Sequence, residues 1–400
     1  MDEIEYGLLG KKIGYSYSKL IYEFSGYNYE LVEVSEEDLE SFIKGKKYKG
    51  LNVTIPYKEK VIEFLDELSF VAKKCGVVNT IINDNGKLIG DNTDYYGFLY
   101  LLKEYGQIEE LRNKSFLILG TGATSKTIRM VLNDNGINDV KVASSKDGFD
   151  YHYSELSDLH FDFVINATPV GTYPNISEKI DARGDNIIDV IYNPYKTRLE
   201  LDNKFNASGL DMLIVQAIES MNRFKLNSKS FSDIKDYLNR NTRNIVLVGL
   251  PGSCKTTIGE VLSKKLKKDF FDTDKEIEKE EQIERIIKEK GEEYFREKET
   301  DIIKEVSLKH GAIISTGGGV VLKDENMKML MANGIVFYID REIDEIYATF
   351  TPHPLTKSKE DLITLYNIRN PLYNKYSDCV IKEKELEKIV DKIIELVDFK

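Results

Sequence analysis

"SFLILGTGATSKTIRMVL", residues 115–132, decides how the first half of this chain folds. It reads as a strand, a tight turn and a helix. Gly120 and Gly122 hold the first two small positions of a G-x-G-x-x-G/A/S turn, and Ser125 holds the third. With Ala123 and Thr124 they open a helix whose backbone N–H groups can approach a pyrophosphate. A tight βα turn that binds nothing satisfies the same pattern.

Outward from this stretch, short apolar runs alternate with amphipathic segments. "YGLLG", "LNVTI", "DVKVAS", "FDFVINAT" and "NIIDVIY" read as strands, and "KEKVIEFLDELSFVAKKC" and "GLDMLIVQAIESMNRF" as helices. Such alternation predicts an α/β fold with a parallel sheet and helices on both faces. Residues 225–243 are polar and read as a linker or connecting helix, with the linker proper at 237–243. A second α/β pattern then begins at "NIVLVGLPGSCKTTIGEVL", residues 244–262. Gly249, four residues, Lys255 and Thr256 follow the spacing of a phosphate-binding loop, but the residue before the lysine is Cys254. The expected domains are 1–97 with 209–236, 98–208, and 244–400.

Composition bounds the function. The 400 residues carry a net charge of −12, which disfavours nucleic acid and anionic membrane surfaces as partners. No apolar run is long enough to span a bilayer, and the first residues do not read as a signal peptide. Three scattered cysteines, Cys75, Cys254 and Cys379, fit neither a metal spacing nor a disulfide framework. A reducing cytoplasm is the simplest expectation. The oligomeric state is not legible in the sequence.

The first half resembles the shikimate dehydrogenase family. The resemblance is carried by "GYSYSKLIYE", "GLNVTIPYKEKV", "GVVNTI", "GDNTDYYGF", "VINATPVGT", "DVIYNPYKT" and "GLDMLIVQA", in that order. It implies a substrate domain joined to a Rossmann-like domain, and reduction of 3-dehydroshikimate to shikimate. Lys58 and Asp94 are then the catalytic pair, the lysine donating a proton to the developing alkoxide. Ser16, Ser18, Asn52, Thr54, Asn79, Tyr192 and Gln216 are the expected substrate contacts, since each bound hydroxyl needs a partner once water is excluded. Tyr15 and Lys19 replace the family's usual His and Pro. In "DVKVASSKDG" the residues facing the adenosine ribose are Ser144, Ser145 and Lys146, where NADP users of the family carry an arginine. No acidic residue stands there to repel a phosphate, so NADP is expected over NAD. Gly209 is a further expected cofactor neighbour.

The second half resembles shikimate kinase, through "FFDTDKEIEK", "EEYFREKETDII", "ISTGGGVVL" and "IRNPLYNKYSD". The resemblance implies a P-loop kinase that uses ATP and Mg²⁺ to phosphorylate shikimate. Gly249, Gly252, Ser253, Cys254, Lys255, Thr256 and Thr257 would cradle the phosphates, with Thr256 and Asp272 at the metal. Asp274 would hold the acceptor hydroxyl and act as base. Arg296 and Arg369 would take the substrate carboxylate, and Gly318 and Gly319 would admit the ring. If Cys254 must adopt a positive φ, its side chain costs ~1–2 kcal/mol, equivalent to about tenfold in ATP binding. The lid stretch "YATFTPHPLTKSKEDL" has His353 before Pro354, and no arginine lies between Arg341 and Arg369. Two readings therefore stand for this half: an active, weakened kinase, or a module that binds without turnover.

Overall fold

The structure, a computed structural model, describes residues 4–203, 205–348 and 358–398. The chain divides into two units, Met1–Leu238 and Asn239–Lys400.

The first unit holds two sheets. One is built from β1 (Ile4–Gly10), β2 (Tyr29–Glu33), β3 (Tyr48–Val53), β4 (Glu67–Leu68), β5 (Thr80–Asp84) and β6 (Lys87–Asp91), in the order β2-β1-β3-β5-β6-β4. It is not wholly parallel, because β5 pairs antiparallel with both β3 and β6. The helix expected across "KEKVIEFLDELSFVAKKC" is broken into a 3₁₀ turn (Lys60–Phe64), β4 and a helix (Phe70–Cys75). Tertiary pairing overrides the helical pattern here: Glu67 and Leu68 pair with Ile89 and Gly90 of β6. Ser69 then restarts the helix by accepting a hydrogen bond from Ala72 N.

The other sheet contains β7 (Phe116–Leu119), β8 (Val140–Ser144), β9 (Tyr151–His152), β10 (Phe161–Asn166), β11 (Gly184–Asp189) and β12 (Phe205–Ala207). All its pairings are parallel, and its order is β12-β11-β10-β7-β8-β9. Renumbered from β7, that is the doubly wound order 3-2-1-4-5-6, whose ligand crevice opens where strand order reverses, between β7 and β10. Every residue of β7 is buried, as both faces of a parallel sheet are covered by helices.

The helices Asp94–Glu104 and Gly209–Arg223 cross so closely that a β-carbon on Gly97 would lie 2.7 Å from Met212 O. That approach brings Asp94, at the start of one helix, toward Gln216 on the other. The polar stretch expected as linker is largely a helix, Phe231–Thr242, and residues 237–242 are its last turns. Ile234 and Leu238 are fully buried within the first unit, and with Phe231 and Tyr237 they make a helical apolar period that the polar residues between them mask.

The second unit has one parallel sheet of β13 (Asn244–Val248), β14 (Phe270–Asp272), β15 (Ile313–Ser315), β16 (Gly334–Ile339) and β17 (Cys379–Ile381), ordered β14-β15-β13-β16-β17. The loop after β13 runs into the helix Lys255–Leu266. Among the described residues no helix is long and apolar enough to cross a membrane.

Candidate active sites

In the first unit the expected residues converge. Lys58 follows β3, and Asp94 begins its helix just after β6. Lys58 Nζ donates to Asp94 Oδ2 at 2.7 Å, with side-chain exposures of only 12% and 8%. The other carboxylate oxygen, Oδ1, accepts from Asn79 Nδ2 at 2.8 Å. The pair is thus held from both sides, and removing either member would leave the other buried and uncompensated.

Around it a cleft is lined by Ser16, Ser18, Asn52, Thr54, Asn79, Tyr192, Gly209 and Gln216. Tyr192 Oη donates to Ser16 Oγ at 3.4 Å, and Ser16 Oγ stands 3.2 Å from Ser18 Oγ. Burial pushes the Tyr192 phenol up to about 12. Gly209 is excluded from bearing a side chain by its packing on the Val190–Ile191 backbone.

Asn52 departs from expectation. Its Oδ1 accepts from the hydroxyls of Tyr22 and Tyr29, at 3.0 and 2.9 Å, and its Nδ2 donates to Ser220 Oγ at 2.5 Å. The amide is satisfied by protein groups, so Asn52 shapes the floor of the cleft and has little left to offer a ligand. Thr80, Thr93 and Ser220 extend this network to Asn79. Tyr22 and Ser220 lie in stretches noted in the sequence and Tyr29 does not, but only the fold makes the three neighbours.

A second groove meets the cleft at Lys58. It is lined by Gly120, Gly122, Ala123, Thr124, Ser144, Ser145, Lys146 and the Ala167–Val170 loop. Thr124, Ala167, Thr168 and Pro169 line both hollows, as do Ile55 and Lys58. Gly120 sits at φ +103, where a β-carbon would lie 2.8 Å from Thr168 Cγ2, while one on Gly122 would meet nothing within 4 Å. The turn therefore needs the first glycine for its own shape and leaves space over the second, as a pyrophosphate cradle requires. Ser125 is buried on the inner face of its helix and its side chain lines neither hollow. Ser144 is also buried, and its Oγ accepts from Lys146 N at 3.0 Å, curling the loop at the groove's far rim.

Sequence reasoning left one buried acidic pair without a role. Asp189 accepts from Asn166 Nδ2, Ile191 N and Thr197 Oγ1. Glu200 accepts from Thr197 N. Burial pushes Asp189 up to about 6 and raises Glu200 well above the usual carboxyl range. Asn166 in turn holds Thr168 through N and Oγ1, so Asp189 ties the 167–170 loop to the 190–193 loop. "DVIYNPYKT" signalled the segment, but not this connection.

In the second unit one pocket gathers Gly252, Cys254, Lys255, Thr256, Thr257, Asp272, Asp274, Arg296, Glu299, Gly318, Gly319 and Arg369. Thr256 Oγ1 donates to Asp272 Oδ2 at 2.6 Å, and Asp272 Oδ1 caps the next helix through Asp274 N and Lys275 N. Two hard oxygen donors so close beside the loop fit a Mg²⁺ held partly through water. Lys255 Nζ caps Gly249 O and Leu250 O at 2.9 and 2.8 Å, and burial brings its ammonium down to about 8. Asp274 rises to about 7 through burial, with Asp272 and Glu299 adding to the effect, and its Oδ1 is buried without a partner. Such a carboxyl is matched to taking a proton near neutrality.

Arg296 pairs with Glu299 at 2.9 Å and Glu292 at 3.1 Å, while Arg369 is buried with Nε unpartnered. The glycine triplet has a different reason from the one expected. A β-carbon on Gly317 would lie 2.6 Å from Asp274 Oδ1, one on Gly318 2.6 Å from Pro251 Cδ, and one on Gly319 would collide with the Arg296 guanidinium. These glycines admit the site's own side chains. Gly249 and Ser253 stand behind the pocket: Gly249, at φ +152, lies against Ile339 O, and Ser253 is fully buried. Cys254 does adopt the left-handed conformation, φ +65 and ψ +20. His353 and Pro354 of the lid lie outside the described residues.

A family model described as shikimate kinase matches residues 251–398. One described as the shikimate dehydrogenase substrate binding domain matches residues 8–81. A shikimate dehydrogenase (NADP(+)) from Clostridium beijerinckii is 37% identical over 243 residues, covering 54% of this chain and 89% of that protein. Shikimate dehydrogenase 1 from Peptoclostridium difficile is a structural neighbour with TM-score 0.52 and 32% identity, covering 58% of this chain and 96% of that one. A chorismate mutase/shikimate 5-dehydrogenase fusion protein from Clostridium acetobutylicum has TM-score 0.52, 34% identity and the same two coverages.

Proposed function

Because the chain belongs to the shikimate dehydrogenase family and carries a shikimate kinase domain, we propose that it performs two consecutive reactions on one substrate skeleton. The first unit reduces 3-dehydroshikimate to shikimate with NADPH, and the second phosphorylates shikimate at its 3-hydroxyl with ATP and Mg²⁺. The observation that carries the first reaction is the Lys58–Asp94 pair at the junction of the two hollows. NADPH, when bound along Gly120–Thr124, supplies the hydride. Lys58 Nζ gives its proton to the carbonyl oxygen as charge develops there, and Asp94 orients the ammonium. Ser16 and Ser18, which line the same cleft, hold the substrate carboxylate. NADP is favoured over NAD because the rim at Ser144–Lys146 offers hydroxyl and ammonium donors, and the relatives are named for NADP(+).

In the second reaction Asp274 takes the proton of the 3-hydroxyl, Arg296 and Arg369 hold the carboxylate, and Lys255 neutralises the transferring phosphoryl. Mg²⁺, when bound at Thr256 and Asp272, supplies further charge neutralisation at the phosphate oxygens. A second reading, that this unit binds without turnover, draws on the strained Cys254 and the arginine-poor lid sequence.

The test is product analysis on the full chain. NADPH oxidation with 3-dehydroshikimate should fall by about a hundredfold or more in Lys58→Met. Incubation with shikimate, ATP and Mg²⁺ should yield shikimate 3-phosphate. Reduction without loss in Lys58→Met overturns the first assignment. ADP and shikimate binding without any product establishes the second reading in place of the kinase.

A further inference from the structure

We infer that Arg341 is a nucleotide-positioning residue of the second unit, a cation that holds the phosphate chain beside Cys254 and Lys255. This rests on the kinase reading above. Arg341 lies two residues beyond β16, whose Tyr338 pairs in register with Val248 at the end of β13. Both strands finish at the edge where the phosphate loop begins, which is where open parallel sheets bind ligands.

The side chain is mostly buried and turned to the loop. Its Nη1 donates to Cys254 Sγ at 3.0 Å. Its Nη2 stands 3.6 Å from Glu345 Oε2, and its Nε is buried with no partner among the described residues. A thiol sulfur is a weak acceptor. A planar fork of five donors is thus held by one weak bond and one long ion pair, although its geometry suits bidentate phosphate oxygens. Cys254 itself lines the pocket with Lys255, Thr256 and Thr257, so the guanidinium is one side chain away from the phosphate cradle. Exchanging Glu345 for phosphate keeps the arginine compensated. In the sequence no other arginine follows Arg341 until Arg369. Arg296, by contrast, is already engaged by two carboxylates. The thiol at the glycine position then acts as the rest that keeps Arg341 aimed at the loop.

The experiment is calorimetric titration of full-length protein with Mg²⁺–ADP, Mg²⁺–tripolyphosphate and adenosine, comparing wild type, Arg341→Ala and Arg341→Lys. Arg341→Ala should weaken ADP and tripolyphosphate binding about tenfold or more, leave adenosine unchanged, and leave NADPH-dependent reduction unchanged as an internal check of folding. Arg341→Lys should restore part of the loss, since an ammonium keeps the charge and loses the fork. Unchanged ADP binding in Arg341→Ala overturns the inference while the kinase reading stands. Equal weakening of adenosine and ADP also overturns it, because the residue would then act on the base or on the fold. A wild-type chain that binds no nucleotide sinks both.

Discussion

Replacing Cys254 by glycine separates two effects that the sequence merges. Cys254 stands at φ +65 and ψ +20, just before Lys255. A side chain in that region costs about 1–2 kcal/mol, which glycine relieves. Glycine also returns freedom to the unfolded chain, offsetting roughly 0.4–1 kcal/mol of the gain. The net is a stabilisation of about 0.5–1 kcal/mol, or about 2–3 °C in the unfolding midpoint of a unit this size. If the loop keeps this conformation with and without ligand, the strain belongs to folding and largely cancels from ATP binding. The tenfold affinity penalty expected from sequence needs a loop that relaxes when empty, so stability and affinity report on the two cases separately. Scanning calorimetry of the full chain measures the outcome, with the first unit's transition as internal reference. Cys254→Ala is the control: it keeps the β-carbon and its strain while deleting the sulfur, so its midpoint should not rise. A midpoint for Cys254→Gly at or below that of Cys254→Ala refutes the reasoning. So does a large gain in ATP affinity without any gain in stability.

Three other outcomes follow from the sites. The kinase rate should rise with pH through about 7, since Asp274 must be ionised to accept a proton and burial lifts it to about 7; a rate flat from pH 6 to 8 removes Asp274 from that role. Gly122→Val should raise KM for NADPH by about tenfold with an unchanged unfolding midpoint, because its β-carbon enters only the groove; a destabilised fold with unaltered KM contradicts this. Asp189, lifted to about 6 by burial, keeps its proton longer when folded than unfolded, so its contribution is full below about 4 and lost as pH rises through about 6. The first unit should lose up to about 3 kcal/mol across that window, read as denaturation midpoints at successive pH values, and Asp189→Asn should flatten the slope.

Much of the chemistry was legible because it is local. A strand, a glycine turn and a helix are adjacent in sequence, so both phosphate-type turns could be placed from residue types and spacing alone. Positions within a few residues of those turns, such as Gly120, Gly122 and Lys255, therefore had their surroundings fixed by the backbone they sit on. The same locality has limits. Ser125 and Ser253 belong to the motifs, and helix and loop geometry turn their side chains inward, so what they can offer a phosphate is backbone. Asn52 has the residue type of a substrate contact, but two tyrosines from distant segments occupy its amide.

What the sequence determined by itself was the fold class, the order of the units and the candidates for the reacting groups, since each follows from short-range pattern and side-chain chemistry. Tertiary structure alone decided which of those groups meet. Lys58 and Asp94 are 36 residues apart and touch only because two helices cross at Gly97 and strands β3, β5 and β6 align. Arg341 reaches Cys254 across 87 residues for the same reason. Long-range contacts depend on how sheets register and helices pack, and one-dimensional spacing does not encode that.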